Sequence, residues 1–348
     1  MANGLVIGGK EIKPGQQETV NFKVPDLYTH TNITMPVNVV RGKKPGPVLF
    51  LSAAVHGDEI NGIEIIRRIL HTPAIKRLRG TVVAIPVVNI YGFLNKTRYL
   101  PDRRDLNRSF PGSETGSLAA RIAHIFLNEI VAKCDYGIDL HTAAVHRDNL
   151  PQVRALLDDP ETERIAKSFS VPVILDTRIV EGSLREAVEK MNIPVVVYEA
   201  GEALRFDEVA IRAGVDGILS VLRELSMLPA SRSRKKKKEP EVAKSSAWIR
   251  AQQSGILRSV AALGQRVKRG EVLGIISDPS GDEDREVRTN VGGIIIGRSN
   301  IPLVNEGEAL FHIARFDSVP DVAENIEEFI QEYDPETDDK PADEPAIV

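Results

Sequence analysis

The chain has 348 residues, 42% of them hydrophobic and 27% charged, which excludes a wholly disordered, collagen-like or coiled-coil protein and leaves room for about two domains. The net charge is −4, but residues 316–348 hold twelve acidic side chains against Lys340 alone, so the rest of the chain carries +7. No window approaches the roughly 18 apolar residues of a membrane span, and the N-terminus MANGLVIGGKEIKPG has neither a basic start nor a long apolar stretch, so neither insertion nor secretion is expected.

In chain order, the first 45 residues hold short β-like pieces expected to pair at a sheet edge. From Pro47 to about Leu225 the pattern alternates. VLFLSAAV, TVVAIPVVN, DYGIDLHT and PVVVYEA lack polar alternation and read as strands buried on both faces. Between them, Ile60 to Leu70 places Ile60, Ile63, Ile66 and Leu70 near one helical face, and similar stripes occur over Leu118–Val131, Ser183–Met191 and Val209–Leu225. This alternation predicts an α/β layer fold around a largely buried sheet, filling residues 1–228.

After Leu228 the composition changes. Residues 229–246 read as a basic linker, whose segment Arg232–Lys244 carries +5 with no aromatic interleaved, a solvated run rather than a nucleic-acid surface. Residues 247–315 show short apolar segments punctuated by glycine and read as a small all-β module. Residues 316–348 read as an acidic tail, with a helical turn or two over Glu324–Glu332 and disorder from Asp334 onward. The lone Cys134 cannot form an internal disulfide, reads as a packed thiol, and points to a reducing, cytoplasmic setting.

The chemistry concentrates at strand ends. In AAVHGDEING a buried strand ends at His56 and a helix starts just past Glu59, so an imidazole and a carboxylate can converge on one cation while Gly57 allows a tight backbone. The bland reading makes Asp58 or Glu59 a helix cap. YGIDLHTA delivers His141 to the C-terminal end of another buried strand, the place where open α/β sheets put ligands. Two histidines and a carboxylate leave a fourth position open, as in hydrolytic zinc sites, and Asp139 could orient an imidazole from behind. In PVVVYEAGE a continuous buried strand ends with Glu199, whose expected desolvation suits a general base, with Glu202 as competitor. TRYLPDRRDLNRSFPG supplies Arg98, Arg103, Arg104, Asn107 and Arg108, either a solvated loop or a grip for a carboxylate.

Taken in order, HGDE, DLNRSFPG, DLHT and YEAGE resemble the succinylglutamate desuccinylase/aspartoacylase family, a branch of the zinc carboxypeptidase-like hydrolases, over roughly Pro47 to Leu225. The resemblance implies a mixed sheet flanked by helices and one zinc per chain, held by His56, Glu59 and His141. It implies Glu199 as base and proton shuttle, Asn107 and Arg108 as a carboxylate-binding pair, and Arg98 as the group that polarises the scissile carbonyl, with Arg103 or Arg104 as substitutes. Arg178, after VPVILDT, stands as a further substrate arginine. The C-terminal module resembles a lipoyl-type barrel sandwich, but from Gly270 onward the only lysine is Lys340, so a structural or gating role is expected instead of a carrier role. The only tyrosine after Tyr198 is Tyr333, which speaks against acetylaspartate as substrate.

The expected activity is zinc-dependent hydrolysis of the amide bond of an N-acyl amino acid or a related small carboxylated amide. A metallocarboxypeptidase acting on short peptides and a non-catalytic zinc-containing carboxylate-binding protein are the alternatives. Neither nucleic acid nor membrane is expected as a partner, and homo-oligomerisation stays open.

Overall fold

Runs of apolar residues with no polar alternation need cover on both faces, and here they form the centre of one large sheet. The computed structural model describes residues 4–231, 239–281, 283–316 and 319–335. The N-terminal part contains β1 (Leu5–Ile7), β2 (Lys10–Ile12), β3 (Gln17–Lys23), β4 (Thr34–Arg41), β5 (Lys44–Ala53), β6 (Arg79–Ile85), β7 (Tyr136–Ala143), β8 (Arg147–Ala155), β9 (Val173–Asp176) and β10 (Val195–Glu202). Its helices are α1 (Asn61–His71), α2 (Ile90–Asn95), α3 (Leu118–His124), α4 (Pro160–Ser168), α5 (Leu184–Glu189) and α6 (Glu208–Glu224).

The four central strands run β6-β5-β7-β10 in parallel. Parallel neighbours require crossovers, which the helices supply. β4 and then β3 close one side in antiparallel pairing, as expected of the N-terminal segment, while β1 and β2 pair only with each other. On one face Ile65, Ile66 and Ile69 of α1 share a core with Ile165 of α4 and Ile218 and Leu222 of α6. On the other, Ile122 of α3 packs with Phe50, Val83 and Leu184. The buried face of α1 is turned from the expected Ile60–Ile63–Ile66–Leu70 line, because Gly62 sits directly on Ala53 and Leu140. The stripe over Leu118–Val131 is helical throughout but changes pitch, widening to a π turn over Ile125–Ile130. Cys134 is buried with its Sγ donating to the Ile130 carbonyl, and burial pushes the thiol up, as befits packing rather than chemistry.

The C-terminal part adds β11 (Glu241–Ala243), β12 (Ser245–Arg250), β13 (Gly255–Ser259), β14 (Arg266–Val267), β15 (Val272–Ser277), β16 (Asp284–Arg288), β17 (Gly293–Ser299), β18 (Leu303–Val304) and β19 (Ala309–Arg315), followed by α7 (Val319–Tyr333). β16-β15-β13-β18 form a separate four-stranded sheet. β12-β19-β17 instead extend the large sheet, with β17 paired to β8 through Gly297↔Asn149, Arg298↔Asp148 and Ser299↔Arg147. The result is the expected mixed α/β sheet flanked by helices, with a C-terminal all-β module.

Two expectations need correction. Glu241–Ala243 is a strand paired in parallel with β9, not linker, because Ala243 is buried in the seam between the two parts. The helix in the acidic segment is fifteen residues long, because Val322, Ile326, Ile330 and Tyr333 recur at helical spacing and pack inward. The basic run 232–238 and the expected disorder over 336–348 lie outside the described residues. Among those described, no helix is long and apolar enough to cross a membrane.

Candidate active site

The C-terminal ends of β5, β7 and β10 bring the candidate residues to one place. β5 ends at Ala53, and the buried Ala54 then takes a left-handed φ of 48°, which swings the HGDE segment across the strand ends. Gly57 is required by close approach: a Cβ there would lie 2.0 Å from the backbone carbon of Gly92. Neither Asp58 nor Glu59 caps α1, whose N-cap is Ile60 without a side-chain bond, so the capping alternative does not hold.

His56, Glu59 and His141 are 4%, 2% and 5% exposed and offer one ligand atom each, all within 4.8 Å of one another. His56 Nδ1 lies 2.6 Å from Glu59 Oε1, and His141 Nδ1 lies 2.7 Å from Glu59 Oε2. Only one of the remote nitrogens is hydrogen-bonded from behind: His141 Nε2 is 2.8 Å from Asp139 Oδ2, whereas His56 Nε2 lies 3.3 Å from Asp105 Oδ1, close enough for charge attraction but without a hydrogen-bond partner. Burial alone would raise the Glu59 pKa, but the two imidazoles outweigh it and hold the carboxyl well below its usual range. Burial likewise opposes charge on both histidines, yet Glu59 with Asp105 raises His56, and Asp139 with Glu59 raises His141. The donor set fits a divalent cation of the zinc type: two imidazole nitrogens, a carboxylate facing both, and Asp139 orienting the His141 ring.

The same three side chains line a cavity of about 250 Å³ together with Arg98, Asn107, Arg108, Asp139 and Glu199. Arg98 donates to Glu59 Oε1 at 3.2 Å and to Asp105 Oδ2 at 3.0 Å, so it stands against the cluster, whereas Arg103 and Arg104 are exposed and outside the cavity. Asn107 has its Oδ1 occupied by the Leu184 amide at the start of α5, and Arg108 donates to the Asn107 carbonyl. Glu199 lines the cavity, but its surroundings are polar rather than apolar. Asn149 Nδ2 donates to Oε2 at 2.8 Å, and Arg154 Nη1 lies 3.3 Å from Oε1. Glu202 is turned elsewhere, accepting from the His146 amide and from Asn300. Arg178 is exposed and outside the cavity, while Arg147, Arg154 and Arg185 line it.

Sequence reasoning passed over Asp105, Asn149, Arg154, Arg147, Arg185 and Trp248. Asp105 stands inside the quoted DLNRSFPG and had a signal of its own, an acid between arginines. Asn149 and Arg154 had none, since their parity differs. Glu199 pairs with Gln152 and Gly201 with Asn149, so β8 carries one residue too many and both side chains reach one side across the bulge.

Residues 45–225 match the succinylglutamate desuccinylase/aspartoacylase catalytic domain. Over 296 residues the chain is 27% identical to N-alpha-acetyl-L-2,4-diaminobutyric acid deacetylase of Halomonas elongata, covering 81% of this chain and 86% of that protein. The fold is similar to that of succinylglutamatedesuccinylase/aspartoacylase from Rhodobacter sphaeroides, with a TM-score of 0.77 at 24% identity over 87% of this chain and 97% of that one. It is also similar to the ectoine utilization protein EutE (DoeB) from Ruegeria pomeroyi, with a TM-score of 0.78 at 22% identity over 90% of this chain and 99% of that one.

Proposed function

Because the chain belongs to the succinylglutamate desuccinylase/aspartoacylase family, whose chemistry is amide hydrolysis by deacylases, we propose that it is a zinc-dependent amidohydrolase that removes the acyl group from a small N-acyl amino acid. The observation that carries this reading is that a buried His56–Glu59–His141 donor set and the carboxylate of Glu199 line one small cavity. His56, Glu59 and His141 would hold one zinc per chain, and Asp139 keeps His141 oriented for it. Bound there, zinc supplies Lewis acidity that lowers the pKa of water and polarises a carbonyl.

Glu199 accepts the proton of the attacking water and returns it to the nitrogen of the leaving amine. Asn149 and Arg154 hold its two oxygens in place for that exchange. Arg98, fixed by Glu59 and Asp105, faces the carbonyl oxygen as negative charge develops there. Asn107 and Arg108 are assigned to the substrate carboxylate. Arg178 is given no contact, since it stands outside the cavity. A cavity of about 250 Å³ favours a small amide over an extended peptide. The named substrate of the Halomonas relative, Nα-acetyl-L-2,4-diaminobutyric acid, belongs in the first panel tested. The single buried thiol of Cys134 suits a reducing, cytoplasmic setting.

The test is metal analysis joined to amine release. The full-length chain should bind about one zinc and release free amine from N-acyl amino acids in preference to short peptides. His56→Ala and His141→Ala should each lose the metal, because two ligands make a weak site. Full zinc occupancy in either variant refutes the ligand set, and preferential cleavage of peptides replaces the deacylase with a carboxypeptidase.

A further inference from the structure

The only tryptophan of the chain, Trp248, lies on β12 in the C-terminal module yet lines the catalytic cavity. Strand alternation explains how. Ile249, the next residue, points into the module's own core with Leu257, Leu310 and Phe311, so Trp248 must point the other way. The largest side chain of the module is therefore withheld from its core and left half-buried at the cavity.

It is also held rigidly. Trp248 stands opposite His312 in the β12–β19 register, and the two rings stack with centroids 4.5 Å apart and planes 6° from parallel. His312 is buried, bonded to Ser246 Oγ at 2.8 Å, and pushed down to about 3 by burial and the nearby Arg154, so the plate beneath the indole is neutral at physiological pH. The Arg147 guanidinium lies 5.4 Å from the indole centroid, within cation–π range, and lines the same cavity. The indole N–H has no partner among the described residues. An aromatic plate fixed by a ring beneath and a cation beside it loses little entropy on meeting a ligand.

We propose that Trp248, steadied by His312 and Arg147, is the specificity-determining wall of the cavity, contacting the end of the substrate remote from the scissile amide and limiting its length. This rests on the deacylase reading, so the experiment separates the two. The full-length wild-type chain is first assayed for amine release from acetyl, butyryl and hexanoyl derivatives of a panel of amino acids; no release from any of them sinks the deacylase reading.

The wall is read independently in the zinc-loaded, full-length Glu199→Gln chain, where the same amides are titrated against the emission of its single tryptophan. A saturable change in emission is expected. Trp248→Ala should raise the hexanoyl-to-acetyl ratio of kcat/KM about tenfold, the low end for relaxing a hydrophobic pocket by a methylene or more. Trp248→Phe, which keeps a plate there, should stay near the wild-type ratio. If Trp248→Ala does not melt cooperatively, Trp248→Leu takes its place. Emission that stays flat at amide concentrations saturating turnover, or a length ratio unchanged by removing the ring, overturns the assignment.

Discussion

Glu199 does its proposed work with both oxygens already engaged, by Asn149 on one side and Arg154 on the other. Glu199→Gln should keep the fold and the zinc, since it is nearly isosteric and is not one of the three proposed ligands, but lose at least about 100-fold in turnover, the low end for a positioned general base. Near-normal turnover with zinc retained would end the proton-shuttle role. Asn149→Ala should cost less, about tenfold, as expected from losing one hydrogen bond to a charged group while Arg154 remains. Its signature should be a fall in kcat with KM little changed, and a change confined to KM would mean that Asn149 serves the substrate instead. His141 and Glu199, carried on β7 and β10, and His56, in the turn just past the end of β5, were legible from the apolar runs preceding them. Those that depend on a bulge, Asn149 and Arg154, were not, because a one-residue slip reverses which face a side chain takes. The polarity around Glu199 was hidden for the same reason: the neighbours that make it polar come from β8, about fifty positions away in sequence.

At the scale of elements, the segment from β5 to α1 shows how backbone contact sets up chemistry. Gly57 lies against Gly92 and Phe93 at the start of α2, and no side chain fits between them. Gly57→Ala should displace the loop that carries His56 and Glu59 and lower zinc occupancy measurably at limiting metal, while a variant that binds zinc like wild type would show that the loop can shift without cost. The pairing of β8 with β17 makes a second prediction. Asp148, opposite Arg298, has its pKa raised to about 6 by burial and by Asp207 and Glu202, which outweigh the attraction of Arg298. A carboxyl whose folded pKa is raised destabilises the fold above that pKa. The penalty is relieved as pH falls through about 6 and is gone below the unfolded value of about 3.8. Asp148→Asn should therefore melt at a higher temperature than wild type at pH 8, with the difference closing by about pH 4. A difference in Tm that is independent of pH would place the titration elsewhere. The existence of β5, β6, β7 and β10 could be read from their unbroken apolar runs, whereas α7 was obscured by Glu324, Glu327, Glu328 and Glu332, which are exposed on a helix whose other side is apolar.

For the whole molecule, the decisive feature is that the C-terminal module completes the hydrolase sheet instead of hanging from it. Leu150, Val173 and Leu175 of the first part are buried against Ile294, Ile296, Ala314, Val322 and Ile326 of the second. Tyr333 at the end of α7 donates to Asp216 on α6 at 3.2 Å. Side chains of this size contribute about 1.5–3 kcal/mol each when fully buried, so the three from the first part alone approach the low end of the roughly 5–15 kcal/mol that holds a domain folded. From sequence alone, the basic run and Pro240 mark a tether, and ending the chain near Pro229 would be expected to keep the zinc and lose discrimination between short and long substrates, with newly exposed apolar surface as the one threat to stability. The seam argues otherwise. Such a truncation uncovers an apolar face, strips β8 of its pairing at residues 147–149, and so frees Asn149, which holds Glu199. The truncated chain should lose its cooperative melting transition or self-associate, which calorimetry and sedimentation would record, and its zinc occupancy should fall with the fold. If it instead melts as sharply as the full chain and keeps its metal, the seam is peripheral, and only then would its substrate profile report on access alone.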